Sequence, residues 1–493
     1  MKGFKRLFSW ILVFAMIFSL NIICENSVTV TRAATEFIIT SPSNNETVGA
    51  GYIDIQWNSV PGTVKNYNVY IDGSLVGTTT STTYEFYTTK VNYHTAWIEA
   101  NLSDGQKTYT PTVKFGVTKK GLCVNDNMGR NLDPLAMNMG WYYTWGTNPF
   151  SYTTYSQIEF VPMVWGTGNE KSIPAIKSKN YKYVLSYNEP DMPLKDKNGN
   201  FVGGSEVDVN TAINHWYLFD GVGQHVGTPA PALSPSWKDG TWLRTFMSKI
   251  DTSTIDFIPL HCYYGGYGGA AGANTFLKEV VDATWEMYHK PIWITEFAVS
   301  EWAFNDANKR TSVNQFLKTA IDGLNSRDYV ERYSWFSFDV SSGNGASGLW
   351  YSNGALTDLG NTYVTYGNPT TEYKTGNVVN PYKPQVSTPQ GQEQNATVKK
   401  PGRAKIKSVK NLKKRKVKLT LKKVKNAVGY QIKISDNKKF RGYWYKKIKK
   451  TTYTFKRLDK NTRYYYKARA YVLNGKKKLY GSWSKAKSVK IKK

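Results

Sequence analysis

The chain has 493 residues, which is too long for one hydrophobic core, so about two to four domains are expected. With 40% hydrophobic and 20% charged residues, the composition is that of an ordinary globular protein. The net charge of +29 would suggest nucleic-acid binding if it were evenly spread, but residues 401–493 hold 34 lysines and arginines against two aspartates. That segment carries +32 and the remainder −3. The basic character therefore belongs to one terminal domain, and no nucleic-acid partner is expected.

Residues 1–34 have the layout of a secretory signal peptide. Three basic residues precede an apolar run from Leu7 to Cys24, and the small residues Ala33 and Ala34 follow. A secreted or cell-surface protein without a transmembrane span after cleavage is expected, although the run would alternatively serve as an uncleaved anchor. A lipid anchor at Cys24 is disfavoured because Ile23 is not small.

Two cysteines, Cys123 and Cys262, remain after cleavage. They are too few for a disulfide framework or a zinc cluster, and we predict buried thiols rather than a bridge. No metal site and no cofactor are predicted.

Residues 36–118 alternate apolar and polar side chains between turns rich in Ser, Asn and Gly. This pattern predicts an immunoglobulin-like or fibronectin-like β-sandwich, with a hairpin at Tyr70 to Gly73. A spacer role is favoured over glycan binding, because the sequence shows no clear aromatic platform.

Residues 119–372 alternate apolar, strand-like runs with segments long enough for helices, such as Ala273 to Tyr288 and Asn314 to Leu324. The fold class predicted for this region is α/β, a (β/α)8 TIM barrel flanked by two β-sandwich domains. The eight runs are Gly121 to Asp126, Ala136 to Tyr142, Glu159 to Trp165, Tyr183 to Glu189, His225 to Pro229, Asp256 to Tyr263, Pro291 to Phe297 and Glu331 to Phe338.

Two carboxylates end the fourth and seventh runs. Glu189 lies in Tyr-Asn-Glu-Pro-Asp and Glu296 in Trp-Ile-Thr-Glu-Phe. Acetal hydrolysis needs one carboxyl group to protonate the leaving oxygen and a second to attack or stabilise the anomeric carbon. Because barrels keep catalytic groups at the carboxyl ends of their strands, Glu189 and Glu296 are the predicted catalytic pair.

Five segments of this region resemble glycoside hydrolase family 128, the Asl-like catalytic core family. They are Gly140 to Gly146, Glu159 to Gly166, Asn188 to Asp191, His261 to Gly265 and Pro291 to Phe297. The resemblance implies a retaining endo-β-1,3-glucanase with Glu189 as acid/base and Glu296 as nucleophile. Two departures, Cys262 where the family more often has Trp and a longer segment from Lys195 to Ser205, leave the shape of the cleft open.

The two carboxyl groups are expected to differ in protonation. Glu189 must be protonated in the first step and basic in the second, whereas Glu296 should stay ionised. The sequence does not measure the distance between them, so retention rests on the resemblance.

The predicted substrate-binding residues are Asn188, Tyr143, Trp165, His261, Tyr263, Trp335, Trp141 and Trp145. Aromatic rings near strand ends can stack on the apolar faces of glucose units, although core packing is the ordinary alternative. Asn188 would donate to a sugar 2-hydroxyl or serve as a structural amide. His261 and Tyr263 would contact Glu296 or a sugar, and Asp191 is expected to hold the loop.

Residues 373–400 are predicted to form an extended linker, and 401–493 a Lys-rich sandwich. Leu458, Thr462 and Tyr464 resemble the corner between the fifth and sixth strands of fibronectin type III domains. The lysines suggest a solubilising face, an anchor on anionic cell-wall or matrix polymer, or a nucleic-acid binder, and export favours the polymer over nucleic acid.

Three functions are consistent with the sequence. The first is a secreted glycoside hydrolase acting on β-1,3-glucan, and the second is a glycosidase of the same fold acting on mannan or mixed-linkage glucan. The third is a non-catalytic surface protein that binds glycan. The intact carboxylate pair argues against the third.

Overall fold

The computed structural model describes residues 36–265, 269–300, 307–337, 345–382, 400–413, 415–440, 444–456, 458–474 and 477–491. The predicted signal peptide and residues 383–399 of the predicted linker lie outside these ranges. The chain divides into two compact units, Met1–Pro384 and Gln385–Lys493. Among the described residues, no helix is both long enough and apolar enough to cross a membrane.

The first unit begins with nine strands in two sheets, in the orders β1-β3-β6 and β2-β9-β7-β4-β5, with β8 beside β7. The strands are β1 (Ile39–Ser41), β2 (Thr47–Gly49), β3 (Gly51–Trp57), β4 (Val64–Ile71), β5 (Ser74–Thr79), β6 (Thr83–Thr88), β7 (Tyr93–Leu102), β8 (Lys107–Tyr109) and β9 (Val113–Thr118). The inward residues of alternating strands, such as Ile53, Val69 and Ile98, form one buried core. The hairpin predicted at Asp72 and Gly73 is present, and both residues have the positive φ that a tight type I′ turn requires.

The chain returns to these sheets after the central region. Tyr373 N–H donates to Tyr93 O at 2.7 Å, and Val378 N–H donates to Gly73 O at 2.8 Å. The Asn380 amide donates to Thr110 O at 2.9 Å. Residues 373–382, which the sequence assigned to the linker, therefore lie against the N-terminal sheets.

The central region contains eight short strands that pair in parallel. They are β10 (Gly121–Cys123), β11 (Trp141–Tyr143), β12 (Glu159–Phe160), β13 (Tyr183–Val184), β14 (His225–Val226), β15 (Ile258–Gly265), β16 (Ile292–Ser300) and β17 (Val330–Trp335). Ladders join β10-β11-β12, β13-β14 and β15-β16-β17. Parallel bridges between Met163 and Leu185, Gly227 and Phe257, and Lys120 and Tyr333 connect these groups, so the pairing returns from β17 to the start of β10.

Helices and helical turns lie between these strands. They are α1 (Asp126–Gly129), α2 (Ile173–Lys177), α3 (Val209–His215), α4 (Thr241–Met247), α5 (Gly269–Phe276), α6 (Ala283–Tyr288), α7 (Ala307–Ser326) and α8 (Asp358–Thr365), with 3₁₀ turns at Thr167–Ser172, Trp216–Phe219, Thr252–Thr254 and Gly345–Ser347 and a π-helical turn at Leu277–Asp282. In α7 the buried side chains recur three or four residues apart, for example Val313, Phe316 and Leu317, so one face packs on the core.

Each of the eight predicted strand runs contains a strand. The second differs most, because residues 134–138 form turns and β11 starts only at Trp141. Pro134 and the left-handed Asn138, at φ 59°, interrupt the extended conformation there.

The N-terminal sheets contact the amino ends of the central strands through buried polar groups. The Arg332 guanidinium is fully buried and donates from Nε to Ala50 O at 2.9 Å and from Nη2 to Glu159 Oε2 at 2.7 Å. Tyr183 Oη accepts from Tyr52 N–H at 2.7 Å. This contact lies at the end of the strands opposite to Glu189, which follows β13.

The second unit has its own core between two antiparallel sheets, β18-β19-β22 and β21-β20-β23-β24, with β25 also paired to β23. The strands are β18 (Lys405–Leu412), β19 (Lys416–Lys422), β20 (Gly429–Ser435), β21 (Trp444–Ile448), β22 (Thr452–Phe455), β23 (Arg463–Asn474), β24 (Lys477–Tyr480) and β25 (Lys487–Lys490). The Tyr464 hydroxyl donates to Asp459 Oδ2 at 2.8 Å, which ties the start of β23 to the preceding turn.

Candidate active site

Glu189 lies just beyond β13, in a backbone conformation that few residues other than glycine adopt. Its neighbour Asn188 forms a parallel bridge with Ala230, and Glu189 N–H donates to Ala230 O at 2.8 Å. Its φ is 41°, in the left-handed region that costs a non-glycine residue about 1 to 2 kcal/mol. The strand pairing therefore holds a strained residue whose side chain remains 15% exposed.

Glu296 lies within β16, where eight of nine residues are buried. It pairs with His261 of β15 in a parallel register that shifts by one residue between Leu260 and His261. This irregularity reorients the side chains locally. The Glu296 side chain is only 5% exposed and that of His261 is fully buried.

Both carboxylates approach the same nitrogen of the His261 ring. His261 Nδ1 lies 2.9 Å from Glu189 Oε1 and 3.6 Å from Glu296 Oε2. One oxygen of each carboxylate and a ring nitrogen all lie within 4.8 Å of one another. The carboxylates are therefore close enough to act on one atom between them.

Three aromatic side chains donate hydrogen bonds to Glu296. Trp145 Nε1 donates to Oε1 at 2.7 Å, and the Tyr143 hydroxyl donates to the same oxygen at 3.1 Å. The Tyr263 hydroxyl makes a short hydrogen bond to Oε2. These donors fix the orientation of the carboxylate and favour its ionised form.

Burial and charge act in different directions at this site. Burial raises the pKa of the Glu296 carboxyl and the charge of Glu189 adds to this, whereas His261 and the hydrogen-bond donors oppose it. Burial lowers the pKa of His261, but the two carboxylates outweigh it, so that the pKa of the imidazole is raised. The pKa of the Glu296 carboxyl is raised overall, so the ionised form that the sequence predicted depends on the hydrogen-bond donors and on His261.

A metal ion is the alternative occupant of a cluster made of two glutamates and a histidine. Both oxygens of Glu296 already accept hydrogen bonds from protein donors, and the Nδ1 atom of His261 contacts Glu189. A bound ion would have to replace these contacts. The donor arrangement therefore fits a carboxylate held by hydrogen bonds better than a metal ligand.

Some predicted substrate-binding aromatics are buried away from the carboxylates. Trp141 and Trp335 are both 0% exposed, and their indole N–H groups donate to Lys119 O at 3.1 Å and Ser347 O at 2.9 Å. Neither presents a free ring face to a sugar, so the prediction was wrong for both. Tyr143 is also 0% exposed, and its contact with Glu296 makes it a positioning residue rather than a stacking surface.

Trp165 and Asn188 lie together on the Glu189 side of the site. Asn188 N–H donates to Trp165 O at 2.9 Å, and the partly exposed Trp165 ring stacks near Phe201, with centroids 6.4 Å apart. The Asn188 amide donates to Gly203 O at 3.3 Å, while its buried Oδ1 has no partner among the described residues. Phe201 lies in the long segment noted in the sequence and is 69% exposed.

Asp191 holds the loop after the fourth strand, as predicted. Its carboxylate accepts from Ala232 N–H at 2.8 Å and from Leu233 N–H at 2.9 Å. Cys123 and Cys262 are free and buried, also as predicted.

Phe336 is a contact residue that the sequence reasoning missed. Its ring meets Trp145 and Tyr263 edge to face, at centroid distances of 5.8 Å and 5.5 Å. It therefore packs against two of the donors to Glu296. Its place near the end of the eighth predicted strand run is the signal in the sequence, which the neighbouring Trp335 shares.

Comparison with known proteins assigns the central region. The family described as "Glycosyl hydrolase catalytic core" matches residues 121–363. Alkali-sensitive linkage protein 1 of Schizosaccharomyces pombe is 28% identical over 236 residues, which are 46% of this chain and 40% of that protein. The chain thus spans less than half the length of this curated relative.

Solved structures of a GH128 subgroup I endo-beta-1,3-glucanase from Amycolatopsis mediterranei are also similar. A mutant in complex with laminarihexaose is 30% identical, and the match covers 51% of this chain and 100% of that chain, with a TM-score of 0.43. The complex with laminaritriose is 30% identical, and the match covers 50% of this chain and 98% of that chain, with a TM-score of 0.42. By its family match, the central region at residues 121–363 is a glycosyl hydrolase catalytic core.

Proposed function

We propose that this protein cleaves β-1,3-glucan by a retaining double displacement, with Glu296 as the nucleophile and Glu189 as the acid/base. The observation that carries the proposal is the carboxylate pair, whose oxygens approach within 4.8 Å. Retaining pairs lie about 5 to 5.5 Å apart, whereas inverting pairs lie roughly 6.5 to 9.5 Å apart to admit a water molecule.

The contacts of each carboxylate support this division of roles. Glu296 is oriented by three donors that favour its ionised form, as a nucleophile requires. Glu189 is more exposed and contacts His261. Its carboxyl is therefore the one with access to a leaving group and to water.

In the first step, Glu189 gives its proton to the glycosidic oxygen while a Glu296 oxygen attacks the anomeric carbon. The bond from that carbon to the oxygen breaks, and a glycosyl ester forms on Glu296. In the second step, Glu189 takes a proton from water, whose oxygen attacks the same carbon. Glu296 leaves as a carboxylate, Glu189 is protonated again, and the anomeric configuration is retained.

We also propose that the eight parallel strands form a (β/α)8 barrel with the site at its carboxyl end. The support is the ring of parallel pairs from β10 through β17 and back. In such a barrel the loops after the strands build the active site. Glu189 after β13, and Glu296 of β16 close to it, agree with that position.

The choice of β-1,3-glucan rests on the relatives with bound laminari-oligosaccharides. In this chain, Trp165 and Phe201 provide partly exposed rings beside Asn188 and Glu189. Such rings stack on the apolar faces of pyranoses. The long segment that carries Phe201 departs from the family pattern, and for this reason a glycosidase of the same mechanism that acts on mannan or mixed-linkage glucan is the second candidate.

Hydrolysis of defined polysaccharides separates these candidates. We expect reducing-sugar release from laminarin and curdlan, and little from mannan or xylan. Preference for mannan or a mixed-linkage glucan would select the second candidate, and no release from any of them would contradict catalysis. The Glu296→Ala variant is the control, since activity that survives in it would belong to another site or a contaminant.

The location and domain organisation are further proposals. An extracellular enzyme is supported by the N-terminal sequence of residues 1–34. We propose sandwich domains at 36–118 and 401–493, the latter similar to fibronectin type III, around a catalytic domain at 119–372. The two sheets and separate core of each flanking region support this assignment.

A further inference from the structure

One sheet of the C-terminal unit presents aromatic rings and positive charges together on its outer face. Ile432 of β20 and Ala468 of β23 point into the core. The alternate residues, Lys433 and Arg469, therefore point outward from neighbouring strands. Three rings from β21, β24 and the segment after β24 surround these two cations. The cationic aromatic face consists of Lys433, Tyr445, Arg469, Tyr480 and Trp483.

Arg469 lies between two of these rings. Its guanidinium carbon is 4.0 Å from the centroid of Tyr480 and 4.5 Å from that of Trp483. Its Nε donates to Gln431 Oε1 at 2.8 Å, which fixes the plane of the group. Stacked and hydrogen-bonded in this way, the guanidinium is already oriented before any ligand binds.

A second cation repeats the arrangement across the sheet. Lys433 Nζ lies 5.4 Å from the Tyr445 centroid and 5.2 Å from the Trp483 centroid. The two rings are nearly parallel, at 13°, with centroids 6.0 Å apart. Tyr445 is 43% exposed, and Arg469, Tyr480 and Trp483 are partly exposed. The face is therefore open to a ligand.

The segment has very few carboxylates of its own to balance these charges. Residues 401–493 contain only Asp436 and Asp459 among 34 lysines and arginines. Asp459 accepts a hydrogen bond from Tyr464, whose side chain belongs to the buried core of the unit. Charge complementarity therefore favours a polyanion from outside the chain.

We propose that the cationic aromatic face binds an acidic polysaccharide, a chain of pyranose units that carry carboxylates. Pyranose C–H faces pack on flat aromatic rings, and the planar fork of Arg469 matches a carboxylate with two parallel hydrogen bonds. Because the same chain carries a glycosyl hydrolase core, polysaccharide is the polymer that the protein encounters at its substrate. Nucleic acid shares stacking and negative charge with this ligand and is the rival that the test must separate.

The test measures binding of the full chain to polygalacturonate, with single-stranded oligo-dT of equal charge as the comparison polymer. The Arg469→Gln variant removes one charge from the face. The matched control, Lys418→Gln, removes one charge from an exposed position of β19 on the other sheet. We expect Arg469→Gln to weaken polygalacturonate binding about tenfold, because a hydrogen bond to a charged group is lost, and Lys418→Gln to change it less than about twofold.

Two further variants keep the result interpretable. Arg469→Lys preserves the charge but loses the planar fork, so it should bind more weakly than the natural chain without any change in net charge. Trp483→Ala should remove the part of the binding that resists salt, because stacking is not screened as exposed charges are. Protease resistance of the C-terminal unit in each variant shows that it is folded.

Equal losses in Arg469→Gln and Lys418→Gln would overturn the proposal, since they would mean attraction by net charge alone. Tighter binding of oligo-dT than of polygalacturonate, with the same loss in Trp483→Ala, would overturn it in favour of nucleic acid. Absence of polygalacturonate binding at low salt would also overturn it.

Discussion

His261 contacts Glu189 through Nδ1 at 2.9 Å, and its ring is fully buried. Because the same nitrogen is 3.6 Å from Glu296, the protonation of the imidazole is linked to both groups. The nitrogen on the other side of the ring, Nε2, is buried without a hydrogen-bond partner among the described residues. His261 is thus placed as a positioning residue for the pair.

Replacing His261 should therefore alter the pH profile as well as the rate. In His261→Asn the positive neighbour is lost, so Glu296 is harder to ionise and the acidic limb of the kcat/KM profile should move to higher pH. Rates across pH 4 to 9 check this. A uniform fall in rate with an unmoved acidic limb would contradict the linkage and indicate a purely structural histidine.

The Tyr263 hydroxyl should be worth a large part of the catalytic rate. Tyr263→Phe removes a donor to Glu296 and leaves the ring in place, so we expect kcat to fall on the order of 10²-fold, with a smaller change in KM. Tyr143→Phe is the matched variant, because its hydroxyl donates to the same carboxylate at 3.1 Å. If neither variant changed kcat, the carboxylate would not depend on its donors.

Stability should carry a signature of the buried Glu296 carboxyl. Its folded pKa is raised, so the folded state binds more protons than the unfolded state between the unfolded value, near 4.5, and the folded value. Stability therefore falls as pH rises through this window. The Glu296→Gln variant lacks this pH-dependent loss of stability. The Tm of the variant minus the Tm of the natural chain should therefore increase from pH 4 to neutral pH. A difference in Tm that stays the same at every pH would contradict a raised pKa for the Glu296 carboxyl.

The contact between the N-terminal sheets and the central region should be important for stability. Arg332→Met leaves Glu159 and the Ala50 carbonyl without their buried partner, and we expect a loss of about 3 kcal/mol in the free energy of unfolding. Arg130→Met is the control, because that arginine forms an exposed pair with Asp126 and should cause little measurable change. Urea denaturation measures both, and equal effects would contradict the role of the contact.

The sequence alone located the strands, and it selected the two carboxylates that the structure brings together, for a physical reason. Apolar runs such as the one that ends at Glu296 alternate with helical segments, and a polar residue at the end of a buried run is conspicuous. The Asp72-Gly73 hairpin was predictable because its residues tolerate positive φ.

The aromatic residues were harder to assign. Trp335 and Phe336 are adjacent in sequence, yet Trp335 packs against Phe297 in the core while Phe336 meets Trp145 and Tyr263. Which of the two faces the site depends on strand register and on irregular pairing between β16 and β17. Neither follows from composition or spacing. The same limit explains the wrong prediction for Trp141.

The stereochemistry of hydrolysis tests the central claim most directly. Proton NMR of laminari-oligosaccharide hydrolysis, recorded before the products mutarotate, shows which anomer forms first. With Glu296 as the nucleophile and carboxylate oxygens within 4.8 Å, the first product should be the β anomer. Initial formation of the α anomer would contradict the double displacement and require a water molecule to attack in place of Glu296.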